Sequence, residues 1–320
     1  MSGLDRTLFR AEAIAPETAE FNLKLRELLR DRPGPDAGGV GLPLRPPEPS
    51  ERARTIRIAG RDGHELALRV IAPDHPKGVY LHFHGGGFIG GGAAQSDRVL
   101  DRIARNTDLA CIDVDYRLAP AHPYPAAWDD AHTAAMWLIE NAHSEFGTDA
   151  LAIGGESAGA NLAVSVLVRL RARHGSTGFR AANLMFGNYD LSMTPSQTLL
   201  GADAVPVSTD VIQRCTSAVA PRREQRQDPD LSPLYADLQG LPAALFTVGT
   251  LDPFLDDSLF MHVRWTAAGS PAELAVYPGG THIFTAFPIL LADQANGRID
   301  AFLRRAGRGP DEPTAGLHRQ

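Results

Sequence analysis

The chain has 320 residues, of which 43% are hydrophobic, and carries a formal net charge of −7. This length and composition favour a catalytic domain with a large buried core, and the absence of a basic stripe argues against a nucleic-acid partner. No apolar stretch approaches the roughly 18 residues that a membrane-spanning helix needs, and the N-terminal residues carry mixed charges. We therefore expect a cytoplasmic protein without a membrane anchor.

Apolar periodicity predicts alternating strands and helices along most of the chain. An amphipathic helix over Ala11–Arg30 precedes a linker rich in proline and glycine that extends to Ser50. The alternation that follows is typical of a mostly parallel sheet with helices on both faces. The predicted strands are 54–58, 64–71, 79–84, 109–114, 150–154, 182–186, 243–249 and 272–277, and the predicted helices are 97–106, 128–140, 160–173, 209–219 and 256–268.

More than 50 residues without a strand pattern separate the strand that ends at Phe186 from the one that begins at Ala243. A structureless loop of this length is unusual in a compact domain, so we predict an inserted helical cap over residues 188–236. Together with the N-terminal helix, this cap is expected to cover Ser157. The predicted organisation is an N-terminal helix and linker (1–50), a catalytic domain (51–187 and 237–305), the cap, and a polar tail (306–320).

The segment Gly155–Gly159, with the sequence GESAG, directly follows a predicted strand and precedes a predicted helix. A serine between two small residues in this context is typical of a sharp strand-to-helix turn that exposes the hydroxyl to a substrate. Ser157 is therefore the candidate nucleophile.

Three consecutive glycines, Gly85, Gly86 and Gly87, follow the earlier strand that ends at His84. Glycines allow backbone N–H groups to approach a small anion closely, and this arrangement accompanies the nucleophile turn in lipases and esterases. The segment is a candidate oxyanion loop.

A serine nucleophile needs a base, which should follow it in the chain and be held by an acid. Of the downstream histidines, His174 ends the helix of the nucleophile, His262 lies within a predicted helix, and His318 lies in the polar tail. His282 instead follows a strand and a Pro-Gly-Gly turn. We therefore select His282 as the candidate base.

The candidate acid is Asp252, which lies in the loop after the predicted strand 243–249. In an open parallel sheet, ligands and catalytic groups collect at the carboxyl ends of the strands. Asp256 and Asp257 are close by, but both fall in the first turn of the next helix, where acids are favoured for structural reasons. We rank them below Asp252.

Taken in order, the motifs of this chain resemble those of the hormone-sensitive-lipase-like esterases, which are the bacterial family IV carboxylesterases. The resemblance covers about residues 50–305. The motifs that carry it are His84–Phe88 (HGGGF), Asp115–Pro120 (DYRLAP), His122–Ala127 (HPYPAA), Gly155–Gly159 (GESAG), Asp230–Leu234 (DLSPL), Asp252–Pro253 (DP) and Gly280–Phe284 (GTHIF).

This resemblance implies an α/β-hydrolase fold, with a mostly parallel central sheet, helices on both faces and a helical cap. It also implies a serine carboxylesterase that hydrolyses short- to medium-chain acyl esters through an acyl-enzyme, with a small acyl ester and water as substrates and with no cofactor or metal. The implied site residues are the catalytic triad Ser157, Asp252 and His282 and the oxyanion-hole donors Gly85, Gly86 and Ala158.

Two residues depart from the family pattern. Glu156 stands before the nucleophile where relatives usually have Asp or Thr, and Ala121 stands where they usually have Glu. The first change is expected to alter hydrogen bonding behind the nucleophile or specificity, and the second to remove a structural contact. Neither change removes a catalytic atom.

The residues argue against three other functions: dinucleotide binding, metal-dependent hydrolysis and ligand binding without catalysis. The segment 85–90 formally satisfies the dinucleotide fingerprint, but the predicted helix begins too late to meet a pyrophosphate. His82 and His84 alternate onto one strand face but are too few for a metal site, and the two cysteines, Cys111 and Cys215, allow neither a zinc cluster nor a disulfide framework. A relative that only binds a ligand would typically have lost a triad residue.

The sequence leaves the acyl group and the oligomeric state open, and a homodimer is one candidate assembly. A specialised amidase, N-deacetylase or lactone hydrolase with the same triad is the alternative activity.

Overall fold

An eight-stranded sheet forms the centre of the molecule in the computed structural model, which describes residues 4–30, 49–200 and 204–307. Within these residues, the strands are β1 (Arg54–Ala59), β2 (Glu65–Ile71), β3 (Gly78–Phe83), β4 (Leu109–Val114), β5 (Leu151–Glu156), β6 (Ala181–Met185), β7 (Ala243–Gly249) and β8 (Ala272–Tyr277).

The strands lie in the order β1-β2-β4-β3-β5-β6-β7-β8. The β1–β2 and β2–β4 pairs are antiparallel, and all pairs from β4 to β8 are parallel. The mostly parallel sheet expected from the alternating pattern is therefore confirmed. Because the parallel strands share one direction, the loops that follow β3, β5, β7 and β8 meet at one edge of the sheet.

Helices cover both faces of this sheet. The described helices are α1 (Pro16–Arg30), α2 (Asp97–Thr107), α3 (Ala126–Phe146), α4 (Ala158–His174), α5 (Pro195–Leu199), α6 (Thr209–Val219), α7 (Leu255–Ala267) and α8 (Leu290–Ala306). Buried residues of α3, α4 and α7 form one core with one face of the sheet, and those of α2 and α8 form a second core with the other face. Among the described helices, none has both the length and the hydropathy needed to cross a membrane.

The structure differs from the predicted elements mainly at helix ends and in the helices that the pattern did not reveal. The first helix begins at Pro16 and not at Ala11, because proline lacks an N–H and is favoured in the first turn of a helix. Short 3₁₀ turns at 6–9 and 11–13 precede it. The apolar periodicity predicted neither α5 nor α8. The linker residues 31–48 and the tail residues 308–320 lie outside the described residues.

The N-terminal helix α1 packs against the loop that carries the candidate base. The side-chain amide of Asn22 donates to the carbonyl oxygen of Gly279 at 2.8 Å. The rings of Phe21 and Phe287 have centroids 5.0 Å apart. These contacts support the expectation that the N-terminal helix helps to cover the site.

An ion-pair network connects the end of the predicted cap to α3 and α4. Arg169 on α4 donates to both carboxylate oxygens of Asp230, at 2.6 and 2.5 Å, and to Asp129 on α3 at 3.0 Å. The hydroxyl of Tyr124 donates to Asp230 at 2.6 Å. Burial acts to raise the pKa of Asp230, but the hydrogen bonds and charge of Arg169 outweigh it and the pKa lies below its usual value. The Arg169 side chain is only 10% exposed, so we expect this network to stabilise the fold.

We predict that Arg169→Met lowers the free energy of unfolding at neutral pH by about 2 kcal/mol, between the values for exposed and buried pairs. A depressed carboxyl pKa adds stability above the unfolded-state pKa, and this stability is lost as the pH falls through the folded-state pKa. The difference from wild type should therefore shrink below about pH 4. Urea unfolding of both proteins at neutral pH and below about pH 4 measures this difference. Arg26→Met, which removes an exposed cation on α1, is the control; a deficit that does not change with pH would contradict the prediction.

Candidate active site

Ser157 lies in a strained turn between β5 and α4. Its backbone has φ 55° and ψ −118°, a region that non-glycine residues rarely occupy. The turn is possible only because its neighbours are glycines: a Cβ atom at Gly159 would lie 1.8 Å from the carbonyl oxygen of Phe83, and one at Gly155 would lie 2.5 Å from the same atom. The sequence GESAG therefore forms the sharp turn that we predicted, with the serine at its apex.

The three predicted catalytic side chains lie together. His282 Nε2 is 3.0 Å from the hydroxyl oxygen of Ser157, and His282 Nδ1 is 3.0 Å from Asp252 Oδ2 and 3.2 Å from Oδ1. Asp252 is fully buried, His282 is 2% exposed and Ser157 is 8% exposed. The arrangement has the geometry of a nucleophile, a base and an orienting acid.

Aromatic rings and backbone contacts hold His282 and Asp252 in place. The rings of Phe186 and Phe254 meet the imidazole edge to face, with centroids 5.1 and 5.0 Å away. The N–H of Phe254 donates to Asp252 Oδ1 at 2.8 Å. Gly249 allows the acid loop to touch the base loop, since a Cβ atom there would lie 2.0 Å from the carbonyl oxygen of Gly280.

The glycine loop adjoins the nucleophile turn and takes a conformation that favours glycine. Gly86 has φ 122° and Gly87 has φ 61°, and the carbonyl oxygen of Gly86 accepts from the N–H of Gly90 at 3.0 Å. His84 Nδ1 lies 2.7 Å from the carbonyl oxygen of Gly85. Burial lowers the pKa of His84 to about 4, so this imidazole is neutral at pH 7 and can donate Nδ1–H to that oxygen.

The backbone N–H groups of the loop differ in their surroundings. Burial raises the pKa of the Glu156 carboxyl, and the nearby N–H of Gly85 acts against this by favouring the ionised form. Within the part of the chain that the structure describes, the N–H groups of Gly86 and Gly87 have no hydrogen-bond acceptor. Those two groups are therefore available to a ligand.

Part of the predicted cap covers the glycine loop. A Cβ atom at Gly87 would lie 2.5 Å from the sulfur of Cys215, so this side chain of α6 packs directly on the loop. The N–H of Tyr124 donates to the carbonyl oxygen of Val219 at the end of the same helix, at 3.1 Å. Helical periodicity does not reveal which distant loop a helix meets, so this contact of Cys215 was not predicted.

Asp257, which we ranked below Asp252 as the acid, binds a different part of the chain. Its carboxylate is fully buried and accepts four hydrogen bonds, all from the segment between β6 and α6. The donors are the N–H groups of Tyr189 and Asp190 at 2.8 and 2.9 Å, the Thr194 hydroxyl at 2.7 Å and the Gln197 amide at 2.8 Å. Asp257 thus fastens the start of the predicted cap to α7, directly behind the acid loop.

The structure also bears on the alternative sites. His82 is buried, and burial lowers its pKa to about 3; its Nδ1 lies 3.1 Å from the Tyr80 hydroxyl. Within the described ranges, no cluster of His, Cys, Asp and Glu side chains could hold a metal ion. The helix after the glycine loop begins at Asp97, outside the loop, so its N-terminus does not open from the glycines as a dinucleotide fingerprint requires. Ala121 is exposed.

Comparisons with known proteins agree with this fold and site. A family model described as the α/β hydrolase fold matches residues 80–286. The carboxylesterase NlhH of Mycobacterium tuberculosis is 35% identical to this chain over 264 residues, which cover 78% of this chain and 82% of that protein. An acetyl esterase of Salmonella typhi is 28% identical over 253 residues, which cover 77% of this chain and 78% of that protein.

A solved structure is also similar. The hyperthermophilic esterase from the archaeon Pyrobaculum calidifontis matches with a TM-score of 0.75 and 28% identity, over 90% of this chain and 88% of that one. The family model spans more than half of the chain, so the chain belongs to the α/β-hydrolase fold family. Within that family it is a carboxylic ester hydrolase of the hormone-sensitive-lipase-like, family IV type, as the motif resemblance implied.

We predict that Asp257→Asn lowers the free energy of unfolding by about 1–3 kcal/mol, because an amide nitrogen then faces donors that had a buried acceptor. Urea unfolding measures the change. Asp256→Asn is a matched control on the neighbouring residue, since Asp256 is only half-buried and accepts from the Ser196 N–H at 2.8 Å. Equal losses in the two variants would show that the buried carboxylate has no special role.

Proposed function

We propose that Ser157, Asp252 and His282 form the catalytic triad of this ester hydrolase. The observation that carries the proposal is the position of His282, whose two ring nitrogens lie 3.0 Å from the serine hydroxyl and 3.0 Å from the aspartate. An imidazole held in this way can accept a proton at Nε2 while Nδ1–H remains bonded to the acid.

The reaction then has two halves. His282 accepts the hydroxyl proton as the Ser157 oxygen attacks the acyl carbonyl, and the carbonyl electron pair moves onto oxygen. The tetrahedral species collapses, and His282 donates the proton to the departing alcohol. Water attacks the acyl-enzyme by the same route and releases the carboxylic acid. Asp252 keeps the imidazole oriented and stabilises its protonated form.

The oxyanion requires backbone donors that no other group occupies. Gly86 and Ala158, both expected from the sequence, fit this requirement. For the third donor we propose Gly87 in place of Gly85, because the nearby Glu156 carboxylate competes for the N–H of Gly85 while that of Gly87 has no acceptor among the described residues.

We further propose that the substrates are esters of short- to medium-chain acids. Two observations support a small acyl group: Ser157 is only 8% exposed, and Cys215 of α6 packs on the glycine loop beside it. One relative carries the name acetyl esterase. The cap over residues 188–236 is the proposed cover of this acyl site, and residues 201–203 of it lie outside the described ranges. The cytoplasmic location and the homodimer stay predictions.

We predict that wild-type protein hydrolyses p-nitrophenyl esters, with kcat/KM highest at a short chain in a series from acetate to dodecanoate. Ser157→Ala should lower kcat by about 10⁶-fold or to background, because triad residues act as a unit. The variant should unfold at the wild-type midpoint, since it removes one oxygen atom.

Three outcomes are informative for this experiment. Turnover that survives in folded Ser157→Ala would remove Ser157 from the mechanism. A maximum at dodecanoate would refute the short acyl site while leaving the triad intact. Hydrolysis of anilides or lactones by wild type, with no ester turnover, would favour the amidase or lactonase alternative. A mock-purified sample from cells without the gene corrects for contaminating esterases.

A further inference from the structure

Glu156 is the last residue of β5, and its side chain lies beneath the glycine loop. Its Cγ and Oε1 atoms lie 3.3 and 3.5 Å from the position that a Cβ atom at Gly85 would occupy. The N–H of Gly85 lies near the same carboxylate and favours its ionised form. The residue directly before the nucleophile therefore contacts the segment that supplies the oxyanion donors.

Burial disfavours the charged forms of the other titratable groups around this carboxylate. Tyr80 on β3, Asp113 on β4 and Tyr116 after β4 interact electrostatically with Glu156, and burial raises the pKa of all three well above the usual values. His282 also interacts with Glu156, and this interaction favours the ionised carboxylate. Of these four neighbours, His282 is the one that gains a positive charge during the proposed reaction.

We propose that Glu156 is a positioning residue that couples the nucleophile turn to both the oxyanion loop and the base. This inference rests on the proposed triad and deepens it. The Glu156 side chain packs against Gly85 and so limits the movement of the peptides that follow, which present the N–H groups of Gly86 and Gly87. Its negative charge stabilises the imidazolium that forms when His282 accepts the Ser157 proton.

The length of the side chain is part of this coupling. Contact with Gly85 is made through Cγ and Oε1. Aspartate keeps the charge but is one methylene shorter. Glutamine keeps the length and a carbonyl acceptor but has no charge. The two substitutions therefore separate the loop contact from the electrostatic effect on His282.

The test compares Glu156→Gln and Glu156→Asp with wild type in kcat, KM and the pH profile of kcat/KM from about pH 5 to 9. For Glu156→Gln we expect kcat to fall about tenfold with KM within twofold of wild type. The acid limb should move to lower pH by about 0.5 to 1 unit, because the protonated base has lost a neighbouring negative charge. Glu156→Asp should keep the wild-type acid limb and lose kcat through a looser loop contact.

Controls separate this coupling from a structural role and from failure of the triad itself. Glu140→Gln removes an exposed carboxylate on α3 and should leave the profile unchanged. A purely structural Glu156 would change the unfolding midpoint of Glu156→Gln and leave its acid limb in place, which would overturn the inference. The inference would also be overturned if Glu156→Gln had the kcat and the acid limb of the wild type. If a fluorophosphonate labels the wild type at a residue other than Ser157, the proposed triad is wrong, and the inference about Glu156 falls with it.

Discussion

The close approach of α4 to β3 at Gly159 is the constraint on which the site depends. With no side chain at this position, the first turn of α4 lies against the carbonyl oxygen of Phe83, where a Cβ atom would be only 1.8 Å away. The glycine loop begins two residues after Phe83, so the same contact fixes the distance between nucleophile and oxyanion donors. The strained backbone of Ser157 costs about 1–3 kcal/mol, and its N–H recovers part of this by donating to the Met185 carbonyl oxygen at 3.0 Å.

The remaining parts of the site reach this point because the parallel strands end at one edge of the sheet. Asp252 follows β7 and His282 follows β8, and these adjacent strands bring the acid and base loops into contact at Gly249 and Gly280. Residues that are distant in sequence thus meet because the strands that precede them end side by side. The N-terminal helix adds an outer layer, since Asn22 binds the turn just before the base.

Local sequence patterns predicted the sheet and the residues that cluster as Ser157, Asp252 and His282, because both depend on short-range rules. Strand periodicity, the glycines around Ser157 and the order of nucleophile, acid and base are all visible in neighbouring residues. The contact of Cys215 with Gly87 and the binding of Asp257 to Tyr189 and Asp190 join segments whose approach no local pattern encodes.

Asp252 and Asp257 are close in sequence but contact different parts of the chain. Asp252 contacts His282, whereas Asp257, on the first turn of α7, accepts hydrogen bonds from the segment that leads to the predicted cap. The predicted cap is thus attached beside the loop that carries Asp252, and not through Asp252 itself. We infer that acyl specificity varies through cap residues such as Cys215 on α6, while the proposed triad depends on the sheet edge.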